Sequence, residues 1–328
     1  MTISRWLLSV PLAILCRPAA PLSAQTASFH NPISGFVYSP ASQAVLPVLG
    51  VPGAAQLGAP VLKKVEFASI APNGDWALVS HTGRSSLLHG LAALAPVRFP
   101  ANGLLEAVDR VVWNRDGSFA LLYSSSQNRL QRVSVSAAGV TADAPVDLSP
   151  WGVAASLAID PAGRQVAFGV TGSGVYLFAP GQFPARLAPL AQPAAASFDG
   201  SGQRLYVADA AQQQIFAFDS GSSALSFASL AQAGAPAVMP VGLTVSGDGR
   251  YLLLADRAAR NVRAYDTASA ALVTSVALDF APSRFEALST APTILLNGDN
   301  PAEWLLVLDA RQLPAVSFVP AASRGAVQ

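Results

Sequence analysis

The sequence predicts an all-β chain folded as a β-propeller, and three observations carry that prediction. A tight glycine turn recurs about every 43 residues, the length of one propeller blade. Each turn joins two short strand-like runs, and a second hairpin follows each first one. No part of the repeat region carries a long helical period, so no long helices are expected.

The turns are "APNGDW" (71–76), "NRDGSF" (114–119), "DPAGRQ" (160–165), "DGSGQR" (199–204) and "SGDGRY" (246–251). Glycine late in such a loop supplies the positive φ that closes a hairpin without a Cβ clash. Before the turns stand "VEFASI", "DRVVW", "ASLAI", "AAASF" and "VGLTV"; after them stand "WALVS", "FALLYS", "QVAFGV", "RLYVAD" and "YLLLAD". The second hairpins begin with "VYLFAP", "IFAFDS", "VRAYDT" and "LLVLDA", which break at Ala179, Asp219, Asp266 and Asp309. A sixth, worn copy covers 285–320, with its turn reduced to Ala291–Pro292.

Four short strands per repeat make a twisted meander with two apolar faces. Radial stacking covers both faces, and closing the ring removes the open ends. The strands nearest the axis are crowded, which accounts for the small residues of "ASLAI" and "AAASF". Inner hairpins can be counted six times. Outer hairpins can be counted seven times, because "GFVYSPASQAVLPVLG" (35–50) resembles "IFAFDSGSSALSFASL" (215–230). The expectation is six or seven four-stranded blades, leaning to seven with one incomplete. The orphan pair then stacks between the last blade and the first.

Residues 1–24 read as a signal peptide: one positive charge, the apolar run "WLLSVPLAILC" and a small-residue exit at Ala24. Arg17 interrupts the run too early for an anchor, and Leu15 stands where a lipobox needs a smaller residue. A tail (25–33), the propeller (34–320) and a C-terminal tail (321–328) follow. The expected address is extracytoplasmic, secreted or periplasmic. Cys16 is the only cysteine and leaves with the signal, so the core alone must hold the mature chain together.

Hydrophobic residues make up 52% of the chain and charged residues only 12%, with a mean hydropathy of +0.40. Alanine supplies much of that apolar share, and no run after the signal is long enough to span a bilayer. The net charge of +1, without a basic cluster, speaks against nucleic acid as a partner.

"LYVADAAQQQIFAFD" (205–219) and "YLLLADRAARNVRAYDTASAALVTSVAL" (251–278) resemble the YVTN and NHL classes of propeller repeat, the second more closely YVTN. The resemblance spans most of the chain at the level of repeats. It implies a propeller fold, and its shared residues are structural.

Propeller function usually sits where the loops between second and third strands meet the blade-to-blade loops, at one mouth of the central channel. Those loops offer His81, Arg84, Asn128, Arg129, Trp151, Asp209, Asp256, Arg257, Arg284, Asn300 and Glu303 as candidate ligand-binding residues. Asp209 and Asp256 are equivalent turn aspartates, suited to capping backbone N–H groups or to sharing a metal ion. The arginines are either an anion-binding ring or solubilising surface charge. Trp151 is either an exposed anchor or loop packing. Trp76, Trp113 and Trp304 fall within strands and are expected to pack blades.

Catalytic motifs are sparse. The three histidines, His30, His81 and His89, all lie in the first third of the chain, and only His81 belongs to a mouth loop. That is too few for a histidine metal centre or a histidine-dependent lyase. There is no P-loop, dinucleotide fingerprint or nucleophile elbow. No cofactor is predicted; an all-oxygen calcium site built from Asp209, Asp256 and loop carbonyls is the one metal site the sequence accommodates. The functional expectation is an exported scaffold binding a protein, peptide or small polar ligand at the mouth, and more a binder than an enzyme. The alternative is a lactonase-like or lyase-like propeller enzyme, the activity associated with some propellers of the repeat type that the sequence resembles.

Overall fold

The computed structural model describes residues 32–93, 95–99, 103–219, 225–231, 238–290, 293–297, 305–309 and 314–320. Among these residues the secondary structure is entirely β, and the strands form seven antiparallel sheets, each a run of consecutive strands. The signal segment, His30, Asn300, Glu303, Trp304, the Ala291–Pro292 turn and the 321–328 tail lie outside the described residues.

Blade 1 contains Ile33–Ser39 and Ala44–Leu49, then the short strands Gln56–Leu57 and Leu62–Lys63, which pair with opposite ends of Ala44–Leu49. Blade 2 runs Phe67–Ile70, Trp76–His81, Arg84–His89 and Val97–Phe99. Blade 3 runs Arg110–Trp113, Phe119–Ser124 and Arg129–Ser136, with Gly139–Ala142 and Val146–Asp147 sharing the outer position. Blade 4 is Ala154–Ile159, Val166–Val170, Gly174–Phe178 and Ala185–Ala188. Blade 5 is Pro193–Phe198, Arg204–Asp209, Gln214–Asp219 and Leu225–Ser229. Blade 6 is Pro240–Val245, Tyr251–Asp256, Asn261–Asp266 and Leu272–Ala277. Blade 7 is Glu286–Ala287, Thr293–Leu295, Leu305–Asp309 and Ala315–Val319.

The packing closes these sheets into a ring. Each of seven apolar clusters is shared by two neighbouring blades, and the sequence of pairs returns from blade 7 to blade 1. Strand periodicity explains how one blade serves two cores. Along Phe119–Ser124, Leu121 and Tyr123 pack against blade 4, while Ala120 and Leu122 face blade 2, and all four are fully buried. Both faces are covered, so second strands read as continuous apolar runs rather than as alternation.

Blade 1 departs from the expected register. Its hairpin takes the second and third strand positions, not the outer pair. Gln43, last in the turn between Ser39 and Ala44, has φ of 47°, matching Asn128, Gln213 and Arg260 at the end of the second-to-third turns of blades 3, 5 and 6. Its carbonyl accepts the N–H of Val65, at the mouth end of blade 2. The closure of the ring is tertiary: Gly35 lies against the Leu288 carbonyl, and Arg284 Nη1 donates to the Tyr38 carbonyl at 3.4 Å, 246 residues away in sequence.

Candidate functional site

The ring has two unlike ends. At one, the six first-to-second turns are built alike: the N–H groups of Ala71, Asn114, Asp160, Asp199, Ser246 and Leu288 each donate across the turn to a carbonyl at the start of the second strand or just before it. In five of them the glycine predicted from sequence closes the turn with positive φ, its N–H returning to the same residue. Successive turns touch, since a Cβ on Gly117 would meet Asn73 and one on Gly202 would meet Asp160. They therefore share one face of the ring, as the repeat predicts.

At the opposite end, the second-to-third turns are stitched to the blade-to-blade loops. Leu148 donates to Asn128, Leu230 to Gln213 and Leu278 to Arg260, each backbone to backbone at 2.8–2.9 Å. This is the mouth where the sequence places its candidates, and Asn128, Asp209 and Asp256 there have their side-chain polar atoms engaged within the protein. Asp209 is fully buried and accepts the N–H groups of Gln192 and Gln212, both at 2.9 Å. Asp256 accepts three backbone N–H groups on Oδ1, from Met239, Ala258 and Ala259, and the Arg263 guanidinium on Oδ2 at 3.2 Å. Arg263 is itself 1% exposed and also donates to the Leu230 carbonyl. A cation shared by the two aspartates would compete with every one of these donors.

Asn128 accepts the Tyr123 hydroxyl at 2.8 Å and donates to Gly152, tying its turn to the next loop. Trp151 is half-buried and packs edge-on against Phe168 and Tyr176, both at 6.3 Å, the arrangement of a loop-packing residue rather than of an exposed anchor. His81 Nδ1 lies 3.0 Å from the Lys64 carbonyl. Close by, Glu66 sits below the ordinary carboxylate range because the Gly83 and Thr82 N–H groups bond to it. Arg284 is half-buried beside Tyr38, whose hydroxyl burial pushes above its ordinary value. Arg84, Arg129 and Arg257 are exposed, with Arg129 opposite Asp147 in register.

The cavity of the ring lies elsewhere. About 260 Å³ of space occupies the central channel at the glycine-turn end, lined by the inner strands and turns of blades 2 to 7. Its wall is mixed: Ile70, Val112, Ile159, Phe198 and Val245 supply apolar surface, and Ser69 and Ser197 add hydroxyls from inner strands. Asn114, Arg115, Asp199, Ser246 and Thr290 lie toward the turns, and Thr244 and Glu286 lie on inner strands. None of the described mouth candidates lines it. Trp113, expected only to pack, lines this cavity and donates from Nε1 to Ser69 Oγ at 3.1 Å.

Beside it an open depression between the turns of blades 5 and 6 holds Arg204, Tyr206 and Asp248, and shares Arg115 and Asp199. Arg204 is paired in bidentate fashion with Asp219, which holds that carboxyl below its ordinary range. Sequence reasoning missed this end because it treated the turns as closures only. The residue following each turn's first position was the available signal. Among the described residues, no three His, Cys, Asp or Glu side chains are grouped to hold a metal ion, and no helix is long and apolar enough to cross a membrane.

No protein-family model matches the sequence, and no curated protein matches it. Solved structures do. A protein of unknown function from Desulfotomaculum acetoxidans DSM 771 aligns over 88% of this chain and 99% of its own, with a TM-score of 0.59 and 13% identity. A chain in the crystal structure of a nidogen/laminin complex aligns over 74% of this chain and 92% of its own, with a TM-score of 0.48 and 13% identity. What the chain shares with the first of these is its fold.

Proposed function

We propose that this chain is an exported propeller that binds a small ligand in its central channel, entering from the glycine-turn end. The observation that carries the proposal is the cavity itself: a concave space walled by apolar residues of six blades, with hydroxyls and one carboxylate on the inner strands and further polar groups at the turn end, the mix of apolar contact and placed polar groups that small-molecule sites use. The rigid, shared cores hold the walls, and the turns supply the contacts. The YVTN- and NHL-like repeats agree with a scaffold role, and the apolar N-terminal run supports export. Protein or peptide partners at the mouth would have to use the exposed Arg84, Arg129 and Arg257, because the other described candidates there are engaged in holding loops.

The test uses an uncharged fluorescent probe, phenylnaphthylamine, with the purified protein. Saturable binding that is lost in Thr244→Trp, and in Ser197→Phe as a second block of the channel, is the expected result. Unchanged binding in both blocked variants would refute the channel as the site. N-terminal sequencing of exported material is expected to begin near Gln25, and material beginning at Met1 would remove the export reading.

A further inference from the structure

The glycine-turn end of the channel is ringed by six equivalent positions, one from each of blades 2 to 7. Each directly follows the residue whose N–H closes the inner hairpin. They are Pro72, Arg115, Pro161, Gly200, Gly247 and Ser289, and all six line the cavity. Five of them are uncharged and either short or rigid. One is a cation on a long arm.

The local geometry leaves that cation available. Arg115 is exposed, and its guanidinium makes no hydrogen bond or ion pair with the described residues. Its Nη1 stands 3.7 Å from where a Cβ on Gly200 would be, so the arm extends past blade 4 toward the turn of blade 5. Glycine at 200 and 247 keeps that side of the opening clear. The nearby acids are turned to their own loops. Asp199 accepts Gln203 and Arg204 N–H groups and the Ser201 hydroxyl, and Asp248 accepts the Ser246 hydroxyl and the Arg250 N–H. Glu286 lies on the inner strand of blade 7, part of the wall rather than of the rim.

We propose that the channel takes an organic anion, its carboxylate or sulfonate held by Arg115 at the rim and its apolar body lying along the inner strands. The proposal rests on the channel being the ligand site. A guanidinium offers a fork of N–H donors matched to such oxyanions, and Ile70, Val112, Ile159, Phe198 and Val245 below the rim supply the apolar contact.

The experiment compares two dyes of similar body, anilinonaphthalene sulfonate and the uncharged phenylnaphthylamine, by fluorescence titration. The native protein is expected to favour the sulfonate by about tenfold, the effect of one charge-assisted hydrogen-bonded contact. Arg115→Gln should lose that preference while keeping the uncharged dye's affinity and the thermal midpoint, and Arg115→Lys should keep part of it. Equal binding of both dyes by the native protein, or a preference that survives Arg115→Gln, overturns the anion assignment and leaves the channel site standing. Binding of both dyes that persists in Thr244→Trp and Ser197→Phe overturns the channel site and the assignment together.

Discussion

The two ends of the ring both cap backbone N–H groups with polar side chains, but over different ranges: Asp209 and Asp256 at the mouth reach Gln192 and Met239, each 17 residues away, whereas the turn residues cap within their own hairpins. At the mouth, Asp209, Asp256 and Asn128 are half- to fully buried and bonded to backbone N–H groups or to neighbouring loops. At the glycine-turn end, glycine takes the positive φ and the side chain of the first turn residue caps its own turn: Asn114, Asp160, Asp199 and Ser246 each accept a backbone N–H from within five residues. The side chain that follows the first turn residue is thereby released from structural work. Loops pinned to their neighbours consume several polar groups, whereas a turn capped by its own first residue leaves the next side chain free to be displayed.

That contrast is most exposed at Asp256. Asp256→Ala would leave the buried Arg263 guanidinium without its counter-charge, in addition to three N–H groups without an acceptor. We expect a loss of about 3–5 kcal/mol in urea unfolding, the usual cost of breaking one half of a buried pair. A loss below about 1 kcal/mol would mean that the mouth is not pinned in this way.

Asp209→Ala removes the acceptor of two backbone N–H groups but strands no charge. The expected cost is smaller, about 1–3 kcal/mol, also read from urea unfolding. A cost equal to that of Asp256→Ala would show that the Arg263 pair adds nothing beyond capping.

The smallest effect is expected at the other end. Gly249 has φ of 75° and open space where a Cβ would point, so Gly249→Ala pays backbone strain alone. About 1 kcal/mol is expected, measured by thermal unfolding. A cost above that of Asp209→Ala would reverse the contrast and make the turn end the more tightly constrained of the two.

Much of the fold was legible because its signals are local. Gly74, Gly117, Gly163, Gly202 and Gly249 each take a positive φ that other residues reach only with strain, so their spacing showed through worn repeats. The register of residues 35–50 was not legible. Outer strands such as Leu272–Ala277 carry apolar residues although they are largely exposed, so Val37 and Val45 read alike in an inner or an outer place. Gln43 was the only local mark, a non-glycine residue at positive φ, and its chemistry does not announce that conformation. For the site, the residue types at the mouth were read correctly as turn chemistry. The choice between capping and binding depended on partners such as Gln192, Met239 and Arg263, which local spacing does not reveal.

The sequence by itself determined the strand–turn–strand repeat, the number of residues in a blade and the positions of the sharp turns, because backbone conformational preference and side-chain alternation act over a few residues. Only the tertiary structure decided the closure of the ring at Gly35 and Leu288, the capture of Asp256 by Arg263 and the opening of the cavity at the turns. Those outcomes depend on which side chains meet across neighbouring blades. Burial and pairing between such blades are properties of the closed ring and of no single repeat within it.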